Sequence, residues 1–379
     1  MRVAIAKKDM GSAKTAASNI VLEQTAFLSK IGHEVFVIAE HFGKYGKEKV
    51  EAAGGRAVKA FKLPPLFGKG RYLRRRFFAN RAQAWIKRHR MDFVIGHGDI
   101  MRQNLLYMHN CVHLAHERLT GRPLPANHDV GRMHGELLQS GIWDILICSS
   151  EMMRADLIRR FNLTAKKTMV IYPAFDVQRF EASKDERGRL RREVREQFKI
   201  EDETILISLI TSGDLRVRNA YGLIDAFEMI ASVGNAKLFI AAKEKFAPFI
   251  AYTENRGLKD RVIFAPPIDD VRRYFFASDI FALPAFIETF ARACIEAMFC
   301  SLPVLVSPFV GASEILIGKS RRFILPDLRT ESIAEGLRTL IENPVLCNEL
   351  GEINRGRAKN FSAQDALARM NALLTRQKL

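Results

Sequence analysis

Short runs of Val, Ile, Leu and Phe alternate with helix-periodic stretches along nearly the whole chain, and that alternation constrains the fold more than any single motif. In the first half the runs are RVAIAKK, HEVFVIAE, DFVIGHG, LLYMHN, WDILICSS and KTMVIYP. Helical patterns lie between them over roughly 16–31, 129–140 and 151–161, with a basic helix between the second and third runs. The second half reads TILISLITS, KLFIAAK, RVIFAPP, DIFALPA, LPVLVS and RFILP, with helices near roughly 219–231 and 290–300. Strands of this length that are apolar on both faces belong to a parallel sheet covered on each side by helices. The pattern therefore predicts an α/β protein with two Rossmann-like, doubly wound parallel sheets.

Two such sheets suit a chain of 379 residues, which is too long for one ordinary core. Hydrophobic residues make up 48% of it, and 24 Gly with 13 Pro are too few for wholesale disorder. The segment EASKDERGRLRREVREQFKIEDE (181–203) is charged and nearly free of large apolar side chains, so the domain boundary is expected beside it. The expected division is a first domain over 1–180, a second over 181–361, and a last helix over 362–379 that can pack back on the first domain. Ser362 with Asp365 resembles a capping box opening that helix. The five cysteines lack a framework or C-x-x-C spacing and read as reduced core thiols of a cytoplasmic protein. The start, MRVAIAKKD, has no apolar signal core, and no uncharged apolar window of about 20 residues occurs, so neither export nor membrane spanning is expected.

The net charge of +17 calls for an anionic partner. Residues 56–90 hold 12 Lys and Arg and no acidic residue, interleaved with Leu63, Leu66, Phe67, Tyr72, Leu73, Phe77, Phe78, Trp85 and Ile86. From residue 71 the spacing fits a helix with basic and aromatic faces. Three readings stand side by side. The aromatics are core beneath a solvated basic face, or the segment lies on an anionic bilayer, or it binds nucleic acid. No RNP-like, zinc-finger or helix-turn-helix signature accompanies the last of these.

Doubly wound sheets offer helix N-termini and strand ends to phosphorylated ligands. GSAKTAAS after the first strand lacks the glycines of a Walker loop around Lys14, which argues against ATP hydrolysis. Neither G-x-G-x-x-G nor D-x-D occurs, so no dinucleotide fingerprint and no metal site is expected. A nucleotide diphosphate would be neutralised by Lys, Arg and backbone amides, and SGDLRVRNAYGLIDAF supplies Arg216 and Arg218 in a loop that opens a helix. In FALPAFIETFARACIEAMFCSLPVLVS, Glu288 follows a strand and Glu296 lies about two turns along the next helix. A carboxylate there can accept two hydrogen bonds from a vicinal diol, while the amides of Thr289, Phe290, Ala291 and Arg292 face an anion. The competing reading has both glutamates merely balance the helix end and nearby arginines.

The stretch ETFARACIEAMFCSLPV, with GASEIL after it, resembles the retaining family-4 glycosyltransferases, whose architecture is GT-B: two facing Rossmann-like domains around a cleft. VIYPAFDVQRF, LKDRVIFAPPIDDVRRYFFASDIFALPA and LGEINRGRAKNFS extend the resemblance over roughly residues 140–362. The closest pattern within the family is that of enzymes extending lipopolysaccharide core or glycosylating phospholipids at the cytoplasmic membrane face. The resemblance implies that Glu296 holds the ribose, and that Glu288, Thr289, Phe290 and Ala291 hold donor sugar and diphosphate. It implies that Arg216 and Arg218 stabilise the leaving diphosphate, and that Gly11 and Ser12 (or Thr15 and Ala16) form the first loop's Gly pair. His109 in YMHN falls where members place a histidine near the donor sugar, with His97, His113 and His116 as rivals. Asp99 is assigned to the acceptor, and Arg71, Arg74, Arg75 and Arg76 to acceptor or membrane surface. No cofactor is implied beyond the nucleotide sugar, which is the donor substrate, and no protein nucleophile is required.

Several family glycines are replaced, by Asn219, Thr289, Ala291, Ser301, and Ala265 or Pro266. The resulting expectation is a peripheral, cytoplasmic, metal-independent hexosyltransferase acting on an anionic glycolipid or phospholipid. The alternatives are a catalytically silent GT-B scaffold, favoured by the missing glycines, and a nucleic-acid-associated protein, favoured by charge alone.

Overall fold

The computed structural model describes residues 1–11, 16–55, 58–68, 70–140, 142–173 and 176–376. The chain divides into two compact units, Met1–Pro173 with Gln364–Leu379, and Ala174–Ala363. The first contains strands β1 (Arg2–Ala6), β2 (Glu34–Ala39), β3 (Val58–Lys62), β4 (Phe93–Gly96), β5 (Gln103–Tyr107), β6 (Trp143–Cys148) and β7 (Thr168–Val170). They form one sheet in the order β3-β2-β1-β4-β5-β6-β7. Every pairing is parallel, with Val3 opposite both Val35 and Phe93.

Period-two alternation sorts β1 between the sheet's faces. Val3 and Ile5 pack with Val21 and Leu28 of the helix Ala16–Lys30, and with Met370, Leu373 and Leu374 of the C-terminal helix Ala363–Arg376. Burying those three C-terminal side chains contributes roughly 2 kcal/mol each, as an upper figure. On the opposite face the small Ala4 and Ala6 admit Phe78 and Ala82 of the helix Arg71–Arg88.

The second unit contains β8 (Ile205–Thr211), β9 (Ala236–Ala242), β10 (Val262–Ala265), β11 (Ile280–Leu283) and β12 (Val304–Val306), in the order β10-β9-β8-β11-β12, again all parallel. The unit boundary falls at Pro173, ahead of the position read from the charged segment. The charged segment itself carries the helix Lys184–Gln197, capped by Ser183, with Leu190, Val194 and Arg195 buried. RFILP is also not a strand. Gly318–Phe323 is a 3-10 helix, and Ile324 makes only a single bridge to Val306. Four of the five cysteines are buried and all are free thiols.

Candidate functional site

In each sheet the winding reverses beside the first strand, between β1 and β4 and between β8 and β11. The loops leaving these strand ends diverge, which opens a crevice where ligands of doubly wound sheets bind. Some of the site residues expected from the sequence lie on these loops, Gly11 and Asp99 after β1 and β4, and Arg216, Arg218 and Glu288 after β8 and β11, whereas His109 follows β5 and Arg71, Arg74, Arg75 and Arg76 lie on the helix Arg71–Arg88.

In the second unit, the loop after β8 is shaped by local hydrogen bonds. Gly213 N–H donates to Thr211 Oγ1 (3.0 Å) and Leu215 N–H to Glu244 Oε2 (3.0 Å). Asn219 takes the left-handed conformation at φ 58° and its side chain caps Gly222 N–H at 3.3 Å. Arg218 folds back over Gly213, where any β-carbon would collide with the guanidinium. There it donates to Ile287 O at 3.3 Å and forms an ion pair with Glu288, from the loop after β11. Both side chains are largely buried. Arg216 does not join them. Its side chain is 73% exposed and pairs at 2.9 Å with Asp214, whose carboxyl it holds below the usual range.

Glu288 is clamped by its backbone, donating to Phe309 O (2.9 Å) and accepting from Gly311 N–H (3.0 Å). Thr289 is half-buried, Phe290 is buried, and Ala291 sits at φ 75° as the residue preceding the helix Arg292–Phe299. Glu296 follows on that helix. Burial raises its carboxyl above the ordinary value, against the pull of Arg292 and Arg179. The residue is half-buried, and among the described residues no hydrogen bond or ion pair is made by its side chain, so the carboxyl stands without a local donor.

In the first unit, the loop after β1 runs through Lys8, Asp9 and Gly11. Gly11 N–H donates to Asp9 Oδ1 (2.6 Å), and a β-carbon on Gly11 would strike both Asp9 and His41 at 2.6 Å. Ser12 lies outside the described residues, as do Ala13, Lys14 and Thr15. Asp99, after β4, is buried and spent within the unit, accepting from Lys8 N–H (2.9 Å) and Arg75 Nη1 (2.9 Å).

His109, just past β5, lies parallel to His97 with ring centres 5.0 Å apart, its Nε2 2.7 Å from His97 Nδ1. His97 Nε2 in turn meets Gln24 Oε1 at 3.0 Å. Burial and the nearby Lys7 push His109 down to about 3, and burial likewise depresses His97 and His134. Of the rivals, His97 is the partner of His109, while His113 packs edge-on against Phe161 and His116 lies further along the helix Val112–Thr120.

The helix Arg71–Arg88 is tied to its own unit more than its composition suggests. Arg75 pairs with Asp99 and Arg76 with Glu136 (3.6 Å), and Tyr72 hydrogen-bonds Glu136. Phe78 is buried, and Trp85 packs on Phe36, Phe61 and His89. Most of its aromatic face is thus core. Arg71 and Leu73 are exposed, Arg74 is half-buried, and Phe67 stands out just before the helix. Neither Arg71 nor Arg74 meets a carboxylate among the described residues. Gln24 and Glu244 leave no signal in the sequence, because a polar residue inside a helix or after a strand looks the same whether or not it holds a neighbour.

Comparison with known proteins places the chain in a family. The family model for glycosyl transferases group 1 matches residues 191–357, and that for glycosyltransferase family 4 matches residues 17–179. A D-inositol 3-phosphate glycosyltransferase of Kineococcus radiotolerans is 24% identical over 62% of this chain and 58% of its own length. A Campylobacter jejuni N-acetylgalactosamine-N,N'-diacetylbacillosaminyl-diphospho-undecaprenol 4-alpha-N-acetylgalactosaminyltransferase is 23% identical over 59% of each chain. The chain thus spans only about half to three-fifths of the curated relatives it matches. Among solved structures, WaaG, a glycosyltransferase involved in lipopolysaccharide biosynthesis, superposes with a TM-score of 0.77 at 17% identity, covering 97% of this chain and 98% of that one. HepE of Anabaena, in complex with UDP and glucose, gives a TM-score of 0.78 at 17% identity over 99% and 100% of the two chains. With both units matched by family models and both sheets wound as in these structures, the chain belongs to the family-4 glycosyltransferases and has the GT-B fold.

Proposed function

We propose that the protein is a retaining glycosyltransferase that moves a hexose from a nucleotide-diphosphate sugar to a membrane-associated glycolipid, such as a lipopolysaccharide core, without a metal ion. The observation that carries this reading is Glu296, a half-buried carboxyl whose pKa burial raises and which has no local donor among the described residues, on the helix that begins beside the Arg218–Glu288 pair. A ribose diol supplies the two O–H donors such a carboxylate accepts best. Glu288 and the amides of Thr289, Phe290 and Ala291 then hold the donor sugar, and Arg218 turns from Glu288 to the diphosphate. Arg216, on the exposed side of the same loop, adds a second cation, and Gly11 with Ser12 lets the first loop approach the donor closely. Guanidinium groups that meet charge growing on the leaving diphosphate bind the transition state more tightly than the ground state. The departing phosphate takes the acceptor proton, and His109 contacts the donor sugar.

The donor class is supported by the UDP and glucose bound to HepE, and the acceptor class by the names of WaaG and of the undecaprenol-directed relative. No helix among the described residues is long and apolar enough to cross a membrane. The exposed Phe67, Arg71 and Leu73, with Arg74 beside them, support peripheral contact with an anionic inner membrane face. Asp99 and the paired Arg75 and Arg76 would act on the acceptor by shaping this edge.

Thermal-shift titration with UDP, ADP and GDP in the absence of metal tests the reading. One diphosphate should raise the Tm, and Glu296→Ala should weaken its binding about 100-fold, roughly 2.8 kcal/mol, and abolish transfer from the matching nucleotide sugar. A folded protein that responds to none of the three, or a Glu296→Ala variant that binds as well as the parent, sinks it. The non-glycine residues at left-handed positions favour a second reading, a GT-B binding protein without turnover. Nucleotide binding with no transfer from any donor would select that reading.

A further inference from the structure

The contacts around His97 fix more than a distance. Gln24, buried in the helix Ala16–Lys30, turns its side-chain amide oxygen toward His97. That oxygen, Oε1, can only accept, and it lies 3.0 Å from His97 Nε2. His97 must therefore carry its proton on Nε2. A neutral His97 then presents a bare Nδ1, and the 2.7 Å contact to His109 Nε2 requires that His109 donate.

A cationic His97 would reverse the last step by donating from Nδ1. It is disfavoured because the ring is 5% exposed, stacks on Tyr107, and is faced by Lys7 and His109. The groups titrating around His109 are likewise basic, Lys7 and His134.

We propose that Gln24 and His97 are positioning residues that hold His109 as its neutral, Nε2-protonated tautomer, so that any hydrogen bond made at His109 Nδ1 is one it accepts. Toward a donor sugar this makes His109 an acceptor of a hydroxyl proton and not a donor. That second clause rests on the function proposed above, whereas the tautomer itself does not.

The test uses the full chain with 15N-labelled histidine and spectra correlating ring nitrogens with carbon-bound ring protons, His109 being assigned by its loss in His109→Gln. Between about pH 6 and pH 8, His109 is expected to show a protonated Nε2 and a bare Nδ1. In His97→Phe, which keeps a ring stacked on Tyr107 but removes the acceptor, the His109 signals should move to a mixture of tautomers. Gln24→Leu, which frees His97 to change tautomer, should do the same and serves if His97→Phe does not fold. Both variants should lose roughly 10- to 100-fold in kcat, with donor KM and the nucleotide-induced rise in Tm unchanged.

A protonated Nδ1 on His109 in the parent protein overturns the proposal. So does a His109 that keeps its parental tautomer in both variants. Variants whose His109 relaxes as expected while kcat stays at the parental level leave the relay standing and overturn the role of His109 toward the sugar. Loss of kcat without any change in tautomer refutes the relay instead.

Discussion

Ala291 stands at φ 75°, ψ 81°, where the β-carbon of an L-residue crowds its own backbone, and Asn219 and Ser301 share that left-handed region at φ 58° and 64°. Asn219 recovers part of the cost by capping Gly222, but the methyl of Ala291 has no hydrogen bond to offer. Ala291→Gly should therefore stabilise the second unit by roughly 1 kcal/mol, raising its Tm by about 3 °C. An unchanged or lowered Tm would mean the strain is absent. All three positions were legible in the sequence as departures from glycine, because a positive φ leaves that trace in a family pattern. The pairing of Arg218 with Glu288 was not. Which way an arginine folds depends on the space above Gly213, and Arg216, two residues earlier, went to Asp214.

At the scale of elements, strands were legible wherever Val and Ile run together, since burial on both faces leaves no polar interruption. The edge strand β3, reading VKAFK, escaped because it lies inside the basic stretch and two of its five residues are lysines. The helix Lys184–Gln197 was hidden differently, since beside the buried Leu190 and Val194 its anchor to the sheet is ionic. Arg195 is 1% exposed and donates to the carbonyls of Ala277, Glu201, Asp202 and Thr204 and to Asp279 Oδ2 (2.7 Å). Arg191 binds the other oxygen of Asp279 at 2.8 Å, and Leu206 N–H, in β8, donates to Oδ2. One carboxylate thus fastens a helix to the start of a strand. Asp279→Ala leaves a buried guanidinium without its counter-charge and should cost the second unit about 3 kcal/mol in denaturant unfolding. A loss under about 1 kcal/mol would show the four carbonyls suffice to hold Arg195.

For the whole molecule, composition alone predicts that the two units respond differently to acid. All nine histidines lie between His33 and His134, inside the first unit. Of these, His97, His109 and His134 are desolvated and faced by basic groups, namely Lys7, Arg75, His113 and His128 besides one another, so all three are depressed. A histidine whose folded pKa lies below its unfolded value binds fewer protons when folded. Its contribution to stability is therefore complete above about pH 6.5 and is lost as pH falls toward the folded value. For His109 and His134, both pushed down to about 3, the loss at about pH 5 is roughly 2 kcal/mol each. The second unit has no histidine, and its depressed carboxylates, Asp214, Asp270 and Asp327, stay ionised at that pH. The two tryptophans, Trp85 and Trp143, both belong to the first unit, so their fluorescence follows that unit while circular dichroism follows both. Between about pH 7 and pH 5 the fluorescence melt should fall well ahead of the remaining circular-dichroism transition. A fluorescence transition indifferent to pH would mean that the three buried imidazoles already accept protons in the folded chain, whereas melts that fall together would mean that the two units unfold in one step.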